Sequence, residues 1–211
     1  MRKNTISFLG AVISVSAVMG AASAAPSIGG DPIYTQDDYF TGGLWGTYVS
    51  SYVFASDSDL PSGFVLADGE MLFAYLLDGD DALDVSVDTF SVGNPFPVDV
   101  AITTVGYVTD ILPPGFDMDL REDPYLYGYS GPAQASIFTY AGDLSDPYST
   151  LDPLEWSLVY YIAEATTWTL GPATISGGGI GDTQYIPVAA IPAPGALALI
   201  GLAGLIGRRR R

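Results

Sequence analysis

The sequence predicts an all-β fold, a two-sheet antiparallel β-sandwich of the jelly-roll or Ig-like kind. Three observations lead to this expectation. Short apolar or alternating runs follow one another and are separated by turns rich in Gly, Pro, Asp and Ser. Between Trp156 and Ile162 large apolar side chains occupy every second position, as in a regular strand. No long 3.6-residue pattern is present outside the two terminal segments, so few helices are expected.

The candidate strands follow the apolar runs in order. They are expected at residues 44–54, 71–77, 83–92, 98–108, 136–140, 155–163, 167–175 and 184–188. Gly171-Pro172 is expected to break the seventh of them. In 155–163, Trp156, Leu158, Tyr160 and Ile162 should form the inward face, with Ser157 facing out.

Two strands carry a change of parity that predicts a local bend. Leu83, Val85 and Val87 share one face, but Phe90 has the opposite parity, which predicts a bulge near Asp88-Thr89. The same change separates the apolar positions before Thr103-Thr104 from those after it. A second kink is therefore expected there.

Residues 1–24 have the layout of a secretory signal peptide. Arg2 and Lys3 give a positive start, 6–19 is largely apolar, and Ala22-Ser23-Ala24 supplies small residues at the cleavage positions. Cleavage after Ala24 is expected, with the export machinery and signal peptidase as partners. The alternative is an uncleaved N-terminal anchor.

Residues 191–211 form a second signal-like segment. A short motif, Pro192-Ala193-Pro194-Gly195, opens an uncharged apolar run to Gly207, and Arg208, Arg209, Arg210 and Arg211 end the chain. As a helix the run would reach roughly 20 Å, against ~30 Å for the hydrocarbon core of a bilayer. The positive-inside bias would hold the arginines on the cytoplasmic side.

This layout resembles the PEP-CTERM protein-sorting signal, in which a Pro-Glu-Pro-like motif precedes a transmembrane helix and an arginine tail. Ala193 stands where that motif has Glu, and the Pro-Ala-Pro-Gly form is similar to a variant of the signal. The resemblance implies transient membrane anchoring and cleavage near the motif by an exosortase-like enzyme. The alternative is an ordinary tail anchor, in which Gly201, Gly204 and Gly207 would pack helix against helix.

Charge distinguishes the middle of the chain, residues 25–190, which we expect to be one β-sandwich domain. Arg121 is its only basic residue, whereas all 24 acidic residues lie within it. Such a domain repels nucleic acid, so no nucleic-acid partner is expected. The absence of Cys and His removes disulfides, thiol nucleophiles, imidazole bases and Cys/His zinc sites.

Two acidic clusters are candidate cation sites. Asp78, Asp80 and Asp84 lie close together, and a second group contains Asp117, Asp119, Glu122 and Asp123. Closely spaced carboxylates supply the oxygens that Ca²⁺ prefers, although the first cluster lacks the bidentate Glu of a calcium loop. A solvated turn that discourages edge-to-edge aggregation is the alternative favoured for Asp78, Asp80 and Asp84. No cofactor is required, and Ca²⁺ is the candidate ion.

Tyr125, Tyr127 and Tyr129 alternate along the chain and are candidate glycan contacts, because tyrosine rings stack on the apolar faces of sugars. Burial in the core is the alternative, and it is favoured more strongly for Trp45, Tyr48 and Tyr52. Paired carboxylates could also serve glycoside hydrolysis, yet nothing singles out Glu70, Glu155 or Glu164 as a catalytic acid.

These observations together predict an exported, non-enzymatic protein of the cell envelope, cell surface or extracellular matrix. The family resemblance implies a bacterium that makes extracellular polysaccharide, which is then a candidate partner. The first alternative is a glycan- or calcium-binding adhesive module, and the second is a carboxylate-based glycoside hydrolase.

Overall fold

The computed structural model describes residues 26–79, 86–93, 100–130, 135–140 and 150–190. Within these ranges the strands are β1 (Tyr34–Thr41), β2 (Gly46–Ala55), β3 (Glu70–Gly79), β4 (Thr89–Val92), β5 (Ile102–Tyr107), β6 (Leu126–Ser130), β7 (Ala135–Thr139), β8 (Trp156–Glu164), β9 (Thr167–Gly177) and β10 (Ile180–Ala190). A short 3-10 helix spans Met118–Leu120. The predicted all-β class is confirmed.

The strands form two five-stranded antiparallel sheets. The first has the order β1-β2-β3-β8-β5 and the second the order β10-β9-β4-β7-β6. At one side of the sandwich β1 lies beside β10, and at the other β5 lies beside β6. The sheets therefore pack as a sandwich whose edge strands lie next to each other.

Two hydrogen bonds that involve the hydroxyls of buried tyrosines attach β10 to the first sheet. The hydroxyl of Tyr75 donates to the carbonyl oxygen of Pro187 at 2.7 Å, and that of Tyr161 accepts from the backbone N–H of Ala189 at 2.9 Å. Nearby, the ring centroids of Tyr34 and Trp168 lie 4.0 Å apart. The last described strand is thus held by contacts with both sheets.

The interior is divided into two apolar cores. The larger lies between the sheets and includes Phe73, Tyr75, Phe90, Phe138 and Tyr161. The smaller lies on the outer face of the first sheet, where loop residues such as Phe64 and Phe116 cover Leu72, Leu76, Trp156 and Leu158. The second core exists because strands β3 and β8 carry large apolar side chains on both faces.

This arrangement corrects the orientation expected for β8. Trp156, Leu158, Tyr160 and Ile162 do share one face, but it belongs to the outer core. The face between the sheets carries Ser157, Val159 and Tyr161, and Ser157 is only 1% exposed. The expectation that Ser157 faces solvent is wrong, because loops cover the outer face and leave both sides of the strand buried.

The predicted bend at Thr103-Thr104 is confirmed. The register between β5 and β8 shifts between Ile102 and Thr104, which leaves Thr103 as the extra residue of a bulge. Val87 and Phe90 are both buried although their parities differ. Strand β4 begins between them, at Thr89, but Leu83 and Val85 lie outside the described residues, so the bulge near Asp88-Thr89 stays a prediction.

The expected break at Gly171-Pro172 is wrong, since β9 continues through it. The carbonyl oxygen of Pro172 accepts from the N–H of Gly93 at 2.9 Å, so the proline nitrogen faces the same side. Ala173, the next residue, is the first residue of β9 that pairs with β4. The missing N–H therefore falls just beyond the ladder, where proline is tolerated.

The predicted terminal signals, 1–24 and 191–211, lie outside the described residues. Among the residues that are described, no helix has the length and apolar character required to cross a bilayer.

Candidate functional site

The tyrosines singled out in the sequence lie at the surface. Tyr125, Tyr127 and Tyr129 are 48%, 50% and 59% exposed. Tyr127 pairs with Phe138 of β7, so its ring points toward the space between the sheets at the sandwich edge. There it contacts Tyr107 of β5 edge-on, with ring centroids 5.4 Å apart. The structure thus leaves these rings accessible, as a glycan contact requires.

The acidic cluster Asp78, Asp80 and Asp84 is described only at its first member. Asp78 lies near the end of β3, whereas Asp80 and Asp84 fall outside the described residues. In the described part of the chain, no group of three acidic side chains is arranged to hold a metal ion. Calcium binding by this cluster stays a prediction.

The second acidic cluster forms local contacts within the chain. The carboxylate of Asp117 accepts from the backbone N–H of Asp119 at 3.1 Å and caps the 3-10 helix. Asp123 binds the guanidinium of Arg121. These contacts order the segment between β5 and β6.

Two of the glutamates considered for hydrolysis close loops. Glu70 accepts hydrogen bonds from the N–H of Ala67 at 2.8 Å and from the hydroxyl of Thr103 at 2.9 Å. Glu155 accepts from the N–H of Asp152 at 2.8 Å. Burial raises the pKa of Glu155, the Asp152 N–H lowers it, and the Asp152 charge raises it. Glu164, at the end of β8, is exposed.

A groove on the outer face of the first sheet brings together residues that are distant in sequence. Its floor contains one cross-strand row, in which Tyr39 pairs with Tyr48, Tyr48 with Asp78, and Asp78 with Trp156. In the next row Asp37 pairs with Ser50. Directly paired residues of a sheet point to the same face, so these side chains converge.

The wall of the groove comes from the segment that follows β5. Pro114, Gly115, Phe116, Asp117 and Leu120 line it, and Leu154 contributes from the loop before β8. The Trp156 indole N–H donates to the carbonyl oxygen of Asp117 at 2.6 Å, and Phe116 meets the indole edge-on at 5.5 Å. The volume of the groove is about 960 Å³. The wall is therefore fastened to the floor through Trp156.

The groove is acidic and aromatic. Asp37, Asp38, Asp78 and Asp117 line it, and among the residues that the structure describes no lysine or arginine does. Burial raises the pKa of Asp38, the hydrogen bond from Gln36 lowers it, and the Asp37 charge raises it again. The rings of Tyr39 and Tyr48 lie 4.7 Å apart and are 38% and 52% exposed. Such a surface favours polar, uncharged or cationic groups with an apolar face.

The sequence did not predict this groove. Strand β1 was missed, and with it Asp37 and Tyr39, while Tyr48 was assigned to the core. Trp45 and Tyr52 are indeed buried, but Tyr48 is half exposed. The available signal was the pattern of β1, where Tyr34, Gln36, Asp38 and Phe40 alternate with more exposed neighbours.

No protein-family model, curated protein or solved structure matches this chain. Its function is therefore inferred from its own residues.

Proposed function

We propose that this chain is an exported, non-enzymatic β-sandwich protein, delivered to the cell surface or extracellular matrix through a PEP-CTERM-like signal. The observation that carries the proposal is the layout of the two terminal segments, 1–24 and 191–211, on either side of a stretch whose only basic residue is Arg121. The described residues of that stretch form two antiparallel sheets around a buried apolar core.

The packing suits a domain that works outside the cell without disulfides. The chain has no cysteine, so the domain depends on burial. Two apolar cores supply this burial, and the buried hydroxyls of Tyr75 and Tyr161 fasten the last strand. The chain also passes repeatedly between the sheets, from β3 to β4, β5, β6 and later β8, which favours the jelly-roll over the Ig-like alternative.

Intact-mass analysis of the protein recovered from its native host tests the proposal. We expect a chain that begins at Ala25 and lacks Arg208, Arg209, Arg210 and Arg211. A mass equal to the full 211 residues would contradict it.

Two tail variants provide a matched comparison. Replacing Arg208–Arg211 with alanine should impair retention and processing, because positive charge sets which end stays in the cytoplasm. Replacing the same four residues with lysine keeps the charge and should preserve both. Unchanged sorting of the alanine variant would count against the orientation.

A glycan-binding adhesive module is the second candidate, and the exposed Tyr125, Tyr127 and Tyr129 favour it. Replacing all three with alanine should weaken retention of the protein on the host's isolated extracellular polysaccharide. Tyr185, which is 61% exposed on β10, provides the control substitution. Equal retention of the triple variant and the native protein would argue against this candidate.

A further inference from the structure

The outer groove presents an aromatic platform beside a carboxylate. Tyr48 lies between Tyr39 on one side and Asp78 on the other, each a direct cross-strand partner. The two tyrosine rings are tilted by 42° and together form an exposed apolar surface. A pyranose ring has an apolar C–H face of the kind that packs on such a surface, and polar groups around its rim.

The groove is large enough for several sugar rings. Its volume of about 960 Å³ lies at the upper end of the range typical of small-ligand sites, ~300–1,000 Å³. The buried Trp156 closes the floor and Phe116 supports the wall. The regular strands beneath the tyrosines and this fastened wall make the site largely preformed, which lowers the entropic cost of binding.

Charge complementarity limits the kind of sugar. Asp37, Asp78 and Asp117 line the groove, and the only basic residue in the described part of the chain, Arg121, is bound to Asp123. Uronic acids, sulfates and phosphates would be repelled by this field. A protonated sugar amine would be attracted by the carboxylates and by the faces of the tyrosines.

We propose that the groove binds an amino-sugar oligosaccharide whose amines are free. One sugar ring packs on Tyr39 and Tyr48, and its ammonium group lies toward Asp78 or Asp37. The inference rests on the proposed function, because an exported domain is the one that meets polysaccharide. A basic peptide would satisfy the carboxylates as well, but it would gain less from the apolar surface of the two tyrosines beside them.

Calorimetric titration of the full-length chain, purified in detergent and slightly acidic buffer, tests the proposal with four probes. They are hexamers of glucosamine, N-acetylglucosamine, galacturonic acid and lysine. We expect the glucosamine hexamer to bind about tenfold or more tightly than its acetylated form, with no measurable binding of galacturonic acid. No binding of the glucosamine hexamer, or equal binding of the lysine hexamer, would overturn the proposal.

Substitutions locate the binding. Tyr48→Ala should weaken glucosamine-hexamer binding about tenfold or more, and Asp78→Asn should reduce the preference for free over acetylated amines. Tyr185→Ala removes an exposed tyrosine elsewhere and should leave binding unchanged. If Tyr48→Ala lowers the melting temperature, the exposed Asp37→Asn supplies the same test without loss of an aromatic ring.

The outcomes separate this inference from the proposed function. If Tyr48→Ala and Asp37→Asn each bind the glucosamine hexamer as tightly as the native protein does, the site lies elsewhere and the proposal is overturned. The two tests are independent. If no probe binds, the intact mass still tests the proposed function. If the mass is that of the full-length chain, the titrations still test the groove.

Discussion

The guanidinium of Arg121 donates two hydrogen bonds to the carboxylate of Asp123, from Nε to Oδ1 at 3.0 Å and from Nη2 to Oδ2 at 3.1 Å. Its remaining nitrogen, Nη1, donates to the carbonyl oxygen of Thr109 at 2.9 Å. One side chain thus joins both ends of the segment that forms the groove wall.

Arg121→Gln should lower the free energy of unfolding by about 1 kcal/mol, since the ion pair is partly exposed and surface pairs contribute little. Arg121→Lys keeps the charge but loses the two-pronged geometry, so we expect a similar loss. Urea unfolding measures both. A lysine variant as stable as the native protein would show that charge alone matters.

Trp156→Ala should cost roughly 3–5 kcal/mol, because the indole is 1% exposed and fills the outer core. Trp156→Phe keeps most of the apolar volume but leaves the carbonyl of Asp117 without its donor, so its cost should be smaller. Thermal and urea unfolding provide the comparison. A loss below about 1 kcal/mol for the alanine variant would be typical of a surface position and would contradict the packing.

Stability should fall steeply in alkali. Burial raises the pKa of Tyr75 well above its ordinary value of 10.0, and burial also raises the pKa of Tyr161 and Tyr140. The unfolded chain therefore loses these protons first, so the stabilisation is complete below pH 10.0 and is lost as the pH rises toward the folded values. Each such tyrosine contributes a slope of about 1.4 kcal/mol per pH unit.

Tyr75→Phe tests the source of that slope. It should cost about 1–3 kcal/mol at neutral pH by leaving the carbonyl of Pro187 without its donor, and it should reduce the alkaline slope by one tyrosine's share. The measurement is urea unfolding at successive pH values. The domain has no lysine, cysteine or histidine to obscure the result. An unchanged slope would refute this assignment.

Added salt should stabilise the domain, because 24 carboxylates face a single basic residue, Arg121. NaCl and CaCl₂ at equal ionic strength should raise the melting temperature similarly if Asp78, Asp80 and Asp84 form a solvated turn, which is the outcome we expect. A calcium-specific excess that Asp80→Asn abolishes would instead reveal a site there. An excess that survives this substitution would point to Asp117, Asp119 and Asp123.

The sequence was most informative along the apolar runs. Strands β2, β3 and β8 were predicted close to their observed bounds, and the parity change at Thr103-Thr104 predicted the bulge in β5. Alternation shows which residues share a face, but it does not show which face lies between the sheets. Loops far away in sequence bury the outer face of β8, and this explains the error at Ser157.

The groove was beyond prediction for a different reason. Strand β1 contains Gln36, Asp37 and Asp38, polar residues that an edge strand can leave partly exposed, so it resembles a loop in composition. Tyr39, Tyr48 and Asp78 become neighbours only through the register of three strands. Register follows from which faces are buried and from the turns that join the strands, so it cannot be deduced from one strand alone.

The contact between Tyr34 and Trp168 relates the first strand to the last. Tyr34 begins β1, and Trp168 pairs with Ala189 near the end of β10. The start of β1 and the end of β10 therefore lie at the same end of the sandwich. The opposite end is marked by Trp45, whose indole N–H donates to the carbonyl of Ile180 at 3.2 Å.

Tyr48 lies three residues from Trp45 along the chain, and Asp78 is its cross-strand partner, so this part of the groove lies toward that opposite end. If the chain were tethered beyond Ala190, this part of the groove would face away from the tether.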